Sequence, residues 1–509
     1  MTFLLFFPML VGVVLLMVPK HVHNTIYKIS LGATVAHFVI LCLTLVQIDF
    51  SFDQWHYVVK VPWIEPLHIY YALGIDGLSA LMCLLTSITM VLAIALSYKI
   101  KKKSKAYFIL MLFLQTGIYG VFLSIDLFLF YIFWEMALIP LYFLIGIWGG
   151  VRREYAAIKF FIYTMIGSVF LLLSLVLLYL LNPTDSGILL TDLHVHQQWI
   201  RNFSELIWGI PVSTMIFLGL FIAFAIKIPI FPFHTWLPDA HVQAPTPVSV
   251  VLAGILLKLG MYGMLRFTLG FVPGEVVMFA PVIFILGVIN LIYGAFCAMY
   301  QKNMKKLIAY SSISHMGYCI IGFSALTFLG LEGSIMQMLS HGLIAALLFI
   351  IAGAIYERTY TLTMSDLGGF ASQLPRLTFV AVFAVFAAIG LPGLFGFVSE
   401  FMVLVGAFMG SLYPSSLFGA SDTFFQLGTS VAMFTVLITA VYMLWMLQRT
   451  FFGALAEKWT SLEDISTFDL GWIVLLMALI FVFGIQPSYL LELTHLNVTD
   501  WLDFVGEIQ

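Results

Sequence analysis

Residues 224–267 read FAIKIPIFPFHTWLPDAHVQAPTPVSVVLAGILLKLGMYGMLRF, and this stretch decides the fold. Two apolar runs, each carrying one lysine (Lys227 and Lys258), flank a centre rich in proline and histidine. A helix of such composition has no polar face to offer water. In a bilayer the stretch reads as two spanning helices that each bury a cation, the first interrupted by Pro229 and Pro232. Proline has no N–H, so the carbonyls of Ala225 and Ile228, on either side of Lys227, lose their helical donors. Irregular backbone at membrane depth is stable only where protein or a wet cavity surrounds it. Pro245 and Pro247 stand where the helix carrying Lys258 begins, a position at which proline is tolerated.

The rest of the chain has the same character. Of its 509 residues 62% are hydrophobic and 9% charged, against roughly 25% charged in soluble domains. So few charges cannot cover a surface in water, which excludes a soluble globular fold. The apolar runs are about 20 residues long, the length of a spanning helix rather than of a barrel strand. They fall at 2–18, 29–48, 75–98, 107–125, 127–149, 157–181, 211–233, 247–269, 276–299, 307–329, 331–355, 377–409, 424–448 and 470–487. The fold class is therefore all-α integral membrane, with about fourteen transmembrane helices, some of them broken at proline. The run at 377–409 is too long for one straight crossing and is interrupted at Gly390–Gly393. Met1–Val18 has no basic leader segment and reads as the first spanning helix rather than a signal peptide. Cys42, Cys83, Cys297 and Cys319 lie in apolar runs without metal-ligand spacing and read as small core residues.

Orientation follows from the basic residues. Connections after odd-numbered runs hold Lys20, Lys28, Lys99, Lys101, Lys102, Lys103, Lys105, Arg152, Arg153, Lys159, Lys302, Lys305, Lys306, Arg358, Arg376, Arg449 and Lys458, which is 17 of the 22. Lys60, Arg201 and Arg266 fall on the other side. The positive-inside rule then puts the odd connections in the cytoplasm and both termini outside. Lys227 and Lys258 belong to neither side.

With Glu135 and Glu400 these lysines make four ionisable residues deep in spans. Each costs roughly 2.5–3.5 kcal/mol at a helix centre, about 10 kcal/mol for the set. Such groups must face one another, face water, or spend part of their time neutral. His315 and His341 lie at similar depth, so the six form a candidate row along the membrane plane. Pro140, one turn after Glu135, frees the carbonyl of Met136. Two inert salt bridges would explain the charges alone, whereas a proton relay also explains the histidines and the broken helices. Asp76, Asp126, Glu275 and Glu332 read as helix-start or interfacial carboxylates.

Four blocks carry a family resemblance: FYIFWEMALIPLYFLIGIWGG (130–150), the stretch quoted first, KKLIAYSSISHMGY (305–318) and GLPGLFGFVSEFMVL (390–404). Together they resemble the antiporter-like membrane subunits of respiratory complex I, the NADH–quinone oxidoreductase, and within them the M type, whose mark is an acid where the other types carry lysine, here Glu400. The resemblance implies that Glu135 pairs with Lys227, that Lys258 is the central lysine, and that His315 and His341 link it to Glu400 as terminal site. It also implies N-terminal helices over 1–106, two inverted five-helix repeats over 107–269 and 276–450, and a last helix with a short tail over 466–509. No cofactor or metal is expected on this chain. The implied partners are the L-type and N-type neighbours in the membrane arm and the lipid bilayer, not nucleic acid. The implied location is the cell inner membrane. A subunit of a multisubunit cation/proton antiporter is the alternative.

Overall fold

The computed structural model describes residues 1–50, 55–182, 187–202, 206–207, 209–410 and 423–506; parts of the expected segments, 183–186, 411–422 and 507–509, lie outside the described residues. The chain is a helical bundle. Among the described residues ten helices are long and apolar enough to cross a membrane: α2 (His23–Leu45), α3 (Gly77–Lys99), α4 (Ser104–Leu123), α5 (Leu127–Trp148), α6 (Arg153–Leu181), α10 (Thr246–Phe271), α11 (Pro273–Met299), α13 (Phe328–Thr359), α16 (Thr423–Phe451) and α17 (Thr467–Ile485). Shorter apolar helices are α1 (Thr2–Leu15), α8 (Val212–Lys227), α14 (Pro375–Ile389) and α15 (Phe395–Phe408). To these are added α7 (Leu193–Asn202), α9 (Trp236–Gln243), α12 (Met304–Ser324) and a C-terminal α18 (Ser488–Gly506). The broken run at 377–409 is thus α14 and α15, separated by Gly390 and Gly393 in the left-handed region. Glycine alone enters that region without steric cost.

Burial divides the helices as a membrane bundle requires. In α10 and α13, at 100% and 94% buried, polar residues can be housed away from lipid, whereas α17, at 22%, shows lipid an almost wholly apolar surface. Several elements lie outside the apolar runs, α7 and α9 among them. An antiparallel hairpin of β1 (His56–Ile64) and β2 (Ile69–Ile75) fills the connection between α2 and α3. The C-terminal segment, expected to be a short tail, forms α18.

The start of α5 and the start of α12 are built alike. Asp126 caps α5 by accepting from Phe128 N and Leu129 N, both at 2.9 Å. Asn303 caps α12 by accepting from Lys306 N at 3.2 Å. Leu127 N donates to Ile188 O at 3.1 Å and Leu190 N to Ile125 O at 3.0 Å; likewise Met304 N donates to Leu362 O and Met364 N to Lys302 O, both at 2.9 Å. Each partner strand then enters a single 3-10 turn, Leu190–Asp192 or Met364–Asp366.

At the first-turn end of α3, Asp76 caps Ser79 N and pairs with Arg266 of α10. Arg266, counted among the outer basic residues from sequence, is instead 1% exposed. Its guanidinium faces the rings of Trp55, Tyr262 and Trp501, the last on α18. Asn497 of α18 donates to Asp76 Oδ2 at 2.7 Å and accepts from Leu78 N at 3.1 Å. Helix α18 rests so closely here that a Cβ on Gly77 would lie 1.5 Å from Leu493 O.

Two outcomes follow. Gly77→Ala is expected to displace α18 and lower stability by about 1–3 kcal/mol or more, the cost of overpacking; Gly32→Ala, with nothing within 4 Å of the new Cβ, is the neutral control, and thermal unfolding of the two purified variants checks this. In the connection between α4 and α5, burial pushes the Asp126 carboxyl up to about 6. A carboxyl raised in the folded state gives its full stability below the unfolded value and loses it as pH rises through about 6. Asp126→Asn, which keeps an acceptor for the cap as Asn303 does, is therefore expected to gain on the natural protein by about 3 kcal/mol between acid and pH 8. Unfolding measured across that range checks the sign.

Candidate functional site

Lys227 ends α8. Beyond it Pro229 cannot continue the ladder, so Ile230 N reaches back to Ala225 O at 2.8 Å. The indole of Trp236 donates to Ile226 O at 2.9 Å. Asn290 of α11 accepts from Phe231 N and donates to Ile313 O, both at 2.9 Å, tying the break to α11 and α12. The lysine is 1% exposed. Its Nζ lies 4.7 Å from the ring centroid of Trp134 and has no hydrogen-bond partner among the described residues. Glu135, the next residue on α5, has a buried Oε1 that is likewise unpartnered. The carboxylate is within charge–charge range of Lys227, but no ion pair joins them among the described residues. The expected Glu135–Lys227 pair is an electrostatic neighbourhood supported by a cation–π contact, not a sealed salt bridge.

Helix α10 carries Lys258 between two π-helical stretches, Leu252–Leu256 and Met264–Thr268. A π turn takes a carbonyl out of the regular ladder, and Lys258 Nζ donates to one such carbonyl, Ala253 O, at 2.6 Å. The same Nζ lies 2.9 Å from His341 Nδ1. Two residues on, α10 packs against the end of α8: a Cβ on Gly260 would meet Lys227 Cβ at 3.0 Å. The lysines are therefore on adjoining turns of touching helices.

From Lys258 the contacts continue. The rings of His341 and His315 stack with centroids 5.7 Å apart and 21° between planes. His315 Nδ1 lies 3.2 Å from Glu400 Oε1. Next to Glu400, Ser399 donates to Gln337 Oε1 at 2.5 Å, and Gln337 Nε2 donates to His315 O at 3.4 Å. His315 Nε2, His341 Nε2 and Ser340 Oγ are buried and unpartnered among the described residues. Their residues line a cavity of about 10 Å³ with Glu400, about the threshold for one water. All six residues singled out from sequence thus fall into two adjoining groups, Glu135 with Lys227 and Lys258–His341–His315–Glu400. The second group is continuous by direct contact.

Two further residues extend the row and were missed. His241 of α9 is fully buried, stacked on Phe349 at 4.5 Å, with neither ring nitrogen hydrogen-bonded among the described residues. Lys305, read as a surface cation, is turned inward at 6% exposure and donates to Ala244 O at 2.8 Å. Both Lys305 and Lys258 lie within charge–charge range of His241. His241 stands in the stretch quoted first, so its signal was present; nothing in the sequence separates Lys305 from the exposed Lys302. Glu332, read as interfacial, is buried inside the bundle at 1% exposure.

A network of this kind differs chemically from Asp76–Arg266. That pair is held by hydrogen bonds and aromatic rings, and arginine keeps its proton at any accessible pH. Lysine, histidine and glutamate can each exist neutral, and the unpartnered ring nitrogens leave positions at which a proton can enter or leave.

The family described as NADH:quinone oxidoreductase/Mrp antiporter, TM, matches residues 124–426. The NADH-quinone oxidoreductase subunit M of Rickettsia bellii is 39% identical over 485 residues, covering 95% of this chain and 93% of the relative. That of Rhodobacter capsulatus is 39% identical over 469 residues, covering 91% and 88%. Among solved structures, a chain of respiratory complex I from Thermus thermophilus superposes with a TM-score of 0.85 at 27% identity, covering 99% of both chains. A chain of the Mrp complex from Dietzia shares the fold, with a TM-score of 0.83 at 20% identity over 100% and 98%.

Asn290→Leu removes both bonds that fasten the break after Lys227. It is expected to lower stability by about 1–3 kcal/mol for the unsatisfied groups left behind, read as a fall in the thermal midpoint; Asn290→Asp, which keeps the acceptor for Phe231 N, should lose less.

Proposed function

The chain belongs to the NADH:quinone oxidoreductase/Mrp antiporter transmembrane family, and on that footing we propose that it is the M-type proton-translocating subunit of a respiratory NADH:quinone oxidoreductase, moving protons through its buried Lys/His/Glu row. The observation that carries this reading is the unbroken series Lys258–His341–His315–Glu400, which ends on groups able to gain or lose a proton.

Each group has a role that its surroundings favour. Glu135 and Lys227 act as the switch: a carboxylate near a buried ammonium favours the charged form, and withdrawing it favours release. Lys227 packs against Gly260, two residues from Lys258 on α10, and a like charge nearby disfavours the charged form. A change at Glu135 is therefore passed on as a change in the tendency of Lys258 to hand its proton to His341. His315 and Glu400 receive it. His241 and Lys305 form the loading side, because Lys305 stands beside the basic connection assigned to the cytoplasm. Moving one charge against 100 mV costs about 2.3 kcal/mol, which redox chemistry in other subunits of the complex supplies; this chain carries no redox group.

The finer architecture follows the same reading. The ten long helices, α1, α8, α12 and the broken pair α14/α15 taken as one make fourteen crossings, with both termini on the periplasmic side of the inner membrane. Segment 107–269 and segment 276–450 are two inverted repeats, with 1–106 before them and 466–509 after. The matched starts of α5 and α12, each with a side-chain cap, a bridge and a 3-10 turn, support this, since five crossings separate them and set them on opposite faces. The neighbours are the L-type and N-type subunits of the membrane arm.

Glu135→Gln and Lys227→Ala, tested in the assembled complex, are each expected to cut NADH-driven proton uptake by vesicles about tenfold or more, the scale of losing a proton-transfer group, while native gels show intact assembly. Full pumping by both variants would overturn the reading.

A further inference from the structure

One carboxyl group lies beside the row without belonging to it. Glu332, in the second turn of α13, is 1% exposed. Its Oε2 accepts from Thr494 Oγ1 of α18 at 2.7 Å. Its Oε1 is buried and has no hydrogen-bond partner among the described residues. A carboxylate kept only to start a helix or to meet the interface would be solvated or fully bonded; a buried carboxyl with one oxygen unmatched costs stability unless it has a use.

Its surroundings indicate the use. Glu332 borders a cavity of about 480 Å³, with Leu329 and Met402 on one side and Ser488, Glu492 and His495 of α18 on the other. Glu492 and His495 are themselves exposed, so the cavity has a polar rim. The depth of Glu332 relative to the row follows from the antiparallel seam of α13 and α15. Ser399 bonds Gln337, and a Cβ on Gly333 would meet Val403 N at 2.7 Å. Residue 332 therefore stands level with residue 404, four residues beyond Glu400, or about 6 Å along the axis. That displacement is away from His341 and toward the end of the bundle covered by α18, the end that also holds Asp76 and the hairpin.

We propose that Glu332 is a release carboxyl, taking protons from Glu400 and delivering them to water in the cavity beneath α18. The inference rests on the relay reading above. The proton of the Glu400 carboxyl passes over a chain of water to the Glu332 carboxylate, and from Glu332 to a water in the cavity that leaves as hydronium. Glu400 returns to its carboxylate and is ready for the next proton from His315. The Thr494 hydroxyl holds Oε2 and leaves Oε1 to carry the proton.

The test uses the assembled complex in membrane vesicles, comparing Glu332→Gln, Glu332→Asp and Lys258→Met for protons moved per NADH oxidised. The expected result is at least a twofold loss in Glu332→Gln, recovery in Glu332→Asp and a loss in Lys258→Met. Wild-type stoichiometry in Glu332→Gln beside a loss in Lys258→Met would overturn the release role alone, and normal pumping in both would overturn the relay reading itself. Should Glu332→Gln fail to assemble, Leu329→Cys decides: a membrane-impermeant thiol reagent added from the periplasmic side is expected to label it, and protection from that side would overturn the proposal.

Discussion

No water waits inside a bilayer to repair an unmet polar group, so every charge buried in this bundle must be answered by the protein itself. The chain answers in two ways. At Asp76 and Arg266 the answer is close: an ion pair, a capped amide, Asn497 and three aromatic rings surround the two groups, leaving Arg266 Nε without a partner among the described residues. Along the row from Glu135 to Glu400 it is deliberately incomplete. Lys227 has a ring and a distant carboxylate, Lys258 a carbonyl and an imidazole, and both histidines keep a free nitrogen. The groups are sheltered by the bundle and keep open hydrogen-bonding positions among the described residues.

The backbone departures belong to the same economy. The break after Lys227, the π turns around Lys258 and the glycine-rich gap before Glu400 each fall beside an ionisable side chain. A regular helix spends all its carbonyls internally. At the break and the π turns some are released: Trp236 takes up the carbonyl of Ile226 and Lys258 that of Ala253, while Asn290 accepts from the N–H of Phe231.

Much of this was legible in the sequence, because depth in a membrane follows from counting along apolar runs. Lys258, His341, His315 and Glu400 could be placed at similar depth, and proline and glycine marked the breaks beside Lys227 and Glu400. Lateral position was not legible. Whether Glu135 touches Lys227 depends on helix rotation, which a run apolar on every side does not encode; the structure sets the ring of Trp134 against Lys227. The π turns have no residue signature comparable to proline. Arg266 and Lys305 looked like boundary cations because a count along the chain cannot tell an inward-turned side chain from an outward one. Helix α18 was taken for a tail because its mixed composition lacks the length and apolarity of a span, though it packs on Gly77 through Leu493 and Asn497 and bonds Glu332 through Thr494.

Helix α18 makes contact with α3 at Gly77, with α10 through Trp501 on Arg266, with α13 through Thr494 and His495, and with α7 through Phe504 on His194. It works as a splint laid across helices from separate parts of the chain. Parts joined by a splint at one end cannot slide apart there; they can only tilt, with the far end swinging most.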